Sequence, residues 1–172
     1  LANYMDAVEV PSESLWAQVR EAQTQTLSLS HTGQAVIIDI GEAKDIHPKN
    51  KKEVGRRLAL HALHNDYGFS DVVCESPMPK TVRRVQDKIV VQFDNVADGL
   101  IVKNKYGYLM SFAVAGNDGV YKWVQAKVAG KDRVVLSCPD VIDPVSVRYA
   151  WGDNPDDANL YNSVGLPATP FE

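Results

Sequence analysis

The chain has 172 residues, 45% of them hydrophobic and 23% charged, with a net charge of −4. That is globular usage, with room for one ordinary domain or for part of one joined to a small second domain. It argues against a nucleic-acid binder, because neutralising phosphates needs a clustered basic face, and no apolar stretch approaches the ~20 residues that span a bilayer.

Residues 1–5 read as a short strand that begins abruptly, with neither the basic nor the long apolar stretch of a secretory leader; targeting information, if it exists, lies upstream or was removed. Pro11 and Ser12 then open a helix to about Thr24. Ser12 is the expected N-cap and Glu13 suits the first turn. Leu15, Val19 and Ala22 form the expected inward stripe, flanked by Trp16.

After a turn at Thr32 and Gly33, residues 35–40 make a nearly continuous apolar run, which suits a strand buried on both faces of a parallel sheet. Pro48 fits the first position of a second helix, running to about His64. Val54, Leu58 and Ala62 mark its inner stripe, with Ala59 and Leu63 beside it. The basic run from Lys49 to Arg57 reads as the solvated face of that helix. Strand, helix, strand, helix is the order of a parallel α/β sheet, but two repeats are too few for a complete doubly wound domain.

Beyond residue 67 the pattern changes. Ser76-Pro77-Met78-Pro79 reads as a linker or strand-edge segment, and short β-rich runs follow at 82–85, 88–93, 100–102, 110–115, 121–128, 133–138 and 146–151. Turns such as Gly116-Asn117-Asp118-Gly119 separate them. This spacing indicates a small antiparallel β-sandwich-like domain over 68–172, after an α/β part over 1–67. The tail from Gly152 is rich in Pro, Asp and Asn and is expected to run over the surface of a neighbouring layer, packing back on the α/β part. Cys74 and Cys138 are the only cysteines and form no Cys-x-x-Cys pair. They fit one disulfide or two buried thiols equally well.

The chemistry-bearing stretch is Asp39-Ile40-Gly41-Glu42-Ala43-Lys44-Asp45-Ile46-His47-Pro48. It sets carboxylates and a histidine between the C-terminal end of a buried strand and a helix, the edge where open α/β sheets bind ligands. A histidine at a helix N-terminus meets partial positive charge that disfavours a second proton, and so can act as a base. A neighbouring carboxylate would fix its tautomer. Spacing alone leaves open a blander reading, in which His47 caps the helix and Asp45 is a solvated loop residue.

Three other groups bear weighing. His61 and His64 have metal-compatible helical spacing but no third ligand nearby, and core or exposed histidines explain them better. Asp153, Asp156 and Asp157 lack the frame of a calcium loop. Tyr121, Trp123, Tyr149 and Trp151 could stack a sugar, although aromatic residues of a sandwich more often fill its core.

The blocks Ile38–Glu42, Asp45–Lys51 and Val54–Ala59 resemble the last catalytic block of the sialate O-acetylesterase family, members of the SGNH hydrolases. The likeness extends upstream through Trp16-Ala17, Arg20–Gln23 and Thr32-Gly33, and downstream through Ala115–Gly119, Val147–Trp151, Asn159–Asn162 and Gly165–Phe171. It implies the C-terminal part of an SGNH-type three-layer parallel-sheet hydrolase domain followed by the β-rich domain, and carbohydrate O-acetyl ester hydrolysis by a Ser-His(-Asp) mechanism. By that resemblance His47 is the catalytic base. The SGNH pattern often sets Asp three residues before His, where this chain has Lys44, so Asp45 is the expected orienting carboxylate, with Glu42 and Asp39 as alternatives. The nucleophile serine and the oxyanion-hole glycine and asparagine match nothing here; Ser12 reads as a cap, and Ser111 and Ser137 as strand residues. The resemblance further implies an O-acetylated sugar substrate, no metal or organic cofactor, and a periplasmic or extracellular setting. It also implies a covering partner, either the N-terminal portion of the same enzyme or a second copy. The alternative is a non-catalytic carbohydrate-binding or interaction module.

Overall fold

A computed structural model describes residues 1–172. Helix α1 (Leu15–Gln25) is followed by a 3-10 turn (Thr26–Ser28) and helix α2 (Lys51–Asn65). Nine strands come next: β1 (Met78–Val85), β2 (Lys88–Asp94), β3 (Leu100–Val102), β4 (Phe112–Ala115), β5 (Lys122–Trp123), β6 (Gln125–Ala129), β7 (Arg133–Ser137), β8 (Ser146–Tyr149) and β9 (Leu160–Asn162). They form a four-stranded sheet in the order β1-β2-β7-β6, a three-stranded sheet β5-β4-β8 and a pair β3-β9. Every ladder is antiparallel.

Alternation drives the larger sheet. In β2, Ile89, Val91 and Phe93 turn inward while Lys88 and Asp94 are exposed; in β7, Val134 and Leu136 do the same. All of β4 and the last three residues of β8 are buried, and one apolar cluster joins both sheets. Phe112 packs on Tyr149 at 4.6 Å between ring centroids, and Phe171 joins Tyr149 and Phe93 at 6.2 and 6.0 Å. Cys74 and Cys138 are buried free thiols.

The β-rich reading holds, with adjusted edges. The run at 121–128 splits into β5 and β6 around Val124, whose N–H turns to the Phe112 carbonyl at 3.1 Å. Ser111 is not a strand residue: it lies just before β4 with φ of +62°. The tail packs back on the front segment, with the Gly152 and Asp153 carbonyls on Arg20 and Tyr161 on Asp39, and it is more than a surface strap. It supplies β9, and Leu166, Ala168, Thr169 and Phe171 are buried. Its turn residues concealed this, because the burial comes from isolated side chains and from backbone bonds such as Ala168 N–H to Leu160 O at 2.8 Å.

The front segment departs further from expectation. Residues 1–5 and 35–40 form no strands, since no parallel neighbour lies beside either run; Val36 and Ile38 instead plug into the β-rich core. Helix α1 is capped by Ser14, not Ser12, with the Ser14 Oγ accepting Ala17 N–H at 2.9 Å. Its expected inner stripe faces out: Leu15 is 78% exposed and Val19 46%. Ala17 and Arg20 take the buried face. Helix α2 starts at Lys51 under an Asn50 cap, leaving Pro48 outside. Leu58 is half exposed and Ala59 is exposed, whereas Arg57, expected on the solvated face, is buried.

Candidate active site

Residues 39–50 connect the buried Ile38 to α2, and the loop is fastened at its base by polar clamps. Arg57 reaches down from α2 and grips Asp39 with Nη1 at 2.6 Å from Oδ1 and Nη2 at 2.9 Å from Oδ2. The same Nη1 donates to the Val36 carbonyl at 2.6 Å, and Nε to Glu53 Oε1 at 2.8 Å. From β9, the Tyr161 hydroxyl donates to Asp39 Oδ2 at 3.2 Å. Burial first, and then the Asp39 charge, push the Tyr161 phenol well up. These bonds satisfy a guanidinium only 5% exposed.

A second clamp comes from the chain start. Gly41 N–H donates to Asn3 Oδ1 at 2.6 Å, and Met5 N–H to Ala43 O at 2.9 Å. Asn3 Nδ2 continues to Asn154 Oδ1 at 2.8 Å, and Asn154 Nδ2 to Met5 O at 2.8 Å. A Cβ on residue 41 would stand 2.2 Å from the Asn3 carbonyl oxygen, so the close approach requires glycine. Arg20 holds the other side of residues 1–5 by donating to the carbonyls of Leu1, Ala2, Gly152 and Asp153. Burial lowers its pKa to about 10.

Above these clamps the loop turns between Glu42 and Asp45, where Asp45 N–H meets Glu42 O at 3.2 Å. Asp45 Oδ1 accepts the His47 backbone N–H at 2.9 Å and lies 3.5 Å from His47 Nδ1. The His47 N–H, aided by the Lys49 charge, holds the Asp45 carboxyl below its ordinary range. Glu42 is engaged elsewhere, accepting Lys49 Nζ at 2.6 Å, and Asp39 belongs to Arg57. Of the three candidate carboxylates, only Asp45 faces the imidazole. His47 precedes the Asn50 cap by three residues, beyond the first turn where a helix dipole acts, so the dipole argument for a neutral imidazole lapses. Its side chain is 81% exposed.

An imidazole with Nδ1 turned to a carboxylate leaves Nε2 free to take a proton from an incoming hydroxyl. Ser14 donates to Asp153, and Ser111 to Asp157. His61 and His64 are spent on the Gln34 and Val72 carbonyls, and no cluster of three or more metal-ligating side chains exists. Of the four aromatic residues that could stack a sugar, Tyr149 and Trp151 are buried and Tyr121 lies against Arg148; Trp123 alone stays exposed. Sequence reasoning missed Asn3, Arg57 and Tyr161. Arg57 lay inside the block Val54–Ala59 and inside a basic run that looked solvated, with nothing to mark it as buried.

No family model matches the chain. A solved carbohydrate acetylesterase from Xanthomonas citri superposes with a TM-score of 0.91 and 44% identity, covering 99% of this chain and 39% of that one. Mixed helices and antiparallel sheets arranged in this way are those of a carbohydrate acetylesterase. Among curated proteins, the sialate O-acetylesterases of Pongo abelii and Homo sapiens are each 26% identical over 185 residues, covering 96% of this chain and 35% of theirs. That of Mus musculus is 28% identical over 159 residues. The chain is similar to sialate O-acetylesterases over most of its own length, and it spans about a third of the length of these relatives.

Proposed function

We propose that the chain is the histidine-bearing, C-terminal portion of an SGNH-type carbohydrate O-acetylesterase. In the whole enzyme a serine from the N-terminal portion attacks the acetyl carbonyl while His47 Nε2 takes its proton. His47 then returns that proton to the departing sugar oxygen, leaving an acetyl-serine. Water, deprotonated by His47, attacks this ester, and His47 hands that proton to the serine oxygen as the C–O bond breaks and acetate leaves. Asp45 orients the imidazole and stabilises its charged form. The observation that carries the reading is the single unspent carboxylate: Asp45 lies against His47, while Glu42 and Asp39 are held by Lys49 and Arg57.

The rest of the enzyme would also cover the outward apolar stripes of α1 and α2, completing the three-layer hydrolase domain. An O-acetylated glycan as substrate fits a periplasmic or extracellular protein, and no helix is long and apolar enough to cross a membrane. Acetyl release by the full-length enzyme tests the assignment. His47→Ala is expected to lower kcat about 10⁴-fold, Asp45→Asn less, and Glu42→Gln to have little effect. A severe Glu42→Gln with a silent Asp45→Asn would move the orienting role to Glu42.

A further inference from the structure

A cavity of about 330 Å³ opens between the 7–9 segment, the approach to β4, β5 and the 150–157 turn, a volume within the range of small-ligand sites. Trp123 forms one wall. Its Nε1 donates to the Glu9 carbonyl at 2.9 Å, which pins an indole that remains 42% exposed. Trp151 lines the cavity from within the fold, and its buried indole N–H has no acceptor in the protein. Ser111 and Ala150 meet here, both in left-handed backbone at φ of +62° and +50°, joined by Ala150 N–H to Ser111 O at 2.9 Å. Non-glycine residues keep that conformation only where their surroundings impose it.

The charge of the lining narrows the ligand. The charged residues around the cavity are Glu9, Asp156 and Asp157, with no Lys, Arg or His among them. Anionic ligands are repelled, whereas a polyhydroxylated ring offers donors to the carboxylates and C–H faces to an indole. Asn154 lines the same cavity and bonds Asn3, whose Oδ1 holds Gly41 of the His47 loop at 2.6 Å. The cavity is thus two hydrogen bonds from the loop assigned to catalysis.

We propose that this cavity is a subsite for a neutral sugar residue of the glycan, with Trp123 as the stacking surface and Asp156 as a hydroxyl acceptor. Its use in positioning an acetylated glycan rests on the esterase reading above; the binding itself does not. Calorimetry on the full-length enzyme with xylotetraose and cellotetraose, which carry no acetyl group, measures binding alone. At least one should bind, with affinity reduced about tenfold by Trp123→Ala and largely retained in Trp123→Phe, while N-acetylneuraminic acid binding is unchanged by either. A kinetic arm compares acetylated xylotetraose with 4-nitrophenyl acetate, which lacks a glycan. Trp123→Ala should lower the ratio of kcat/KM between them about tenfold, with an unchanged denaturation midpoint as the folding control. Binding of neither neutral tetrasaccharide, or equal affinity in Trp123→Ala, overturns the subsite. Turnover of both esters with an unchanged ratio also overturns it and leaves the esterase reading standing. Binding lost in Trp123→Ala without turnover in the parent enzyme supports the subsite and sinks the esterase reading.

Discussion

Replacing Arg57 by Met removes the guanidinium that joins α2 to the base of the His47 loop while keeping most of the side-chain volume. Four bonds go: two to Asp39, one to the Val36 carbonyl and one to Glu53. Glu53 keeps both of its bonds from Arg56, at 2.8 and 2.7 Å, so its loss is small. Asp39, 12% exposed, keeps only the Tyr161 hydroxyl at 3.2 Å, on Oδ2. Leaving one partner of a buried pair without the other costs about 3–5 kcal/mol, and the retained tyrosine bond argues for the lower end. A loss of ~3 kcal/mol displaces the midpoint by about 1.5 M urea if m is ~2 kcal/mol/M, and Tm by roughly 6–12 °C.

The companion variant is Arg57→Met with Asp39→Asn, which removes the stranded charge and should recover part of the loss. Urea denaturation of the full-length protein and its variants reads this directly, and the double-mutant cycle isolates the coupling. The reasoning fails if Arg57→Met costs under about 1 kcal/mol, or if the double variant is no more stable than the single one. Either result would mean that the pair is hydrated and carries no tie between helix and loop.

Three further outcomes follow from the same contacts. The Arg56 guanidinium chiefly, with Arg57, lowers the Glu53 carboxyl from 4.5 to about 2, so its contribution to stability is present above pH ~4.5 and is lost as pH falls toward 2; acid titration of unfolding in parent and Glu53→Gln should show the difference vanish over that window. Gly41→Ala must displace Asn3 backbone, since the new Cβ would lie 2.2 Å from its carbonyl oxygen, and it should lower both the thermal midpoint and acetyl release; an unchanged Tm refutes the close fit. The 172-residue chain alone should hydrolyse 4-nitrophenyl acetate no faster than the histidine background and should associate on size exclusion; saturable turnover blocked by a serine-directed inhibitor, or a monodisperse monomer with cooperative unfolding, would contradict these expectations.

The β-rich part was legible because period-two alternation in Lys88–Asp94 and Arg133–Ser137 records one-sided burial within a single chain. That a loop bearing Asp45 and His47 leads into α2 was legible as well, since the turn and the helix start are local in sequence. Asp45 was the expected facing carboxylate; what the sequence did not carry is why Glu42 and Asp39 turn elsewhere, because that depends on Lys49 and on Arg57 and Tyr161 from distant positions. The run 35–40 misled because apolar continuity states that a segment is to be buried, not that its strand neighbours are present. Only Val36 and Ile38 are fully buried, against side chains of the β-rich core.

The outward turn of Leu15, Val19 and Leu58 has a common cause. Each helix carries two faces that avoid water for different reasons. One is polar and spent on the protein itself: Arg20 on four carbonyls, Arg57 on Asp39, Glu53 and Val36. The other is apolar and open, with Leu15, Val19 and Leu58 all exposed. A periodicity argument finds only the apolar face and assigns it to the core, which is why the stripes read as inward. Fully covering an exposed apolar side chain stabilises an assembly by about 1.5–3 kcal/mol, and Val19 and Leu58, already half covered, contribute about half of that. Three of them supply several kcal/mol before any other contact, a driving force of the size that separates a free helix face from an occupied one. The buried arginine faces cannot be traded for the apolar ones, because rotating α2 to bury Leu58 would strand Asp39 and the Val36 carbonyl. The polar clamps therefore fix the helix orientation, and that orientation leaves Leu15, Val19 and Leu58 outward.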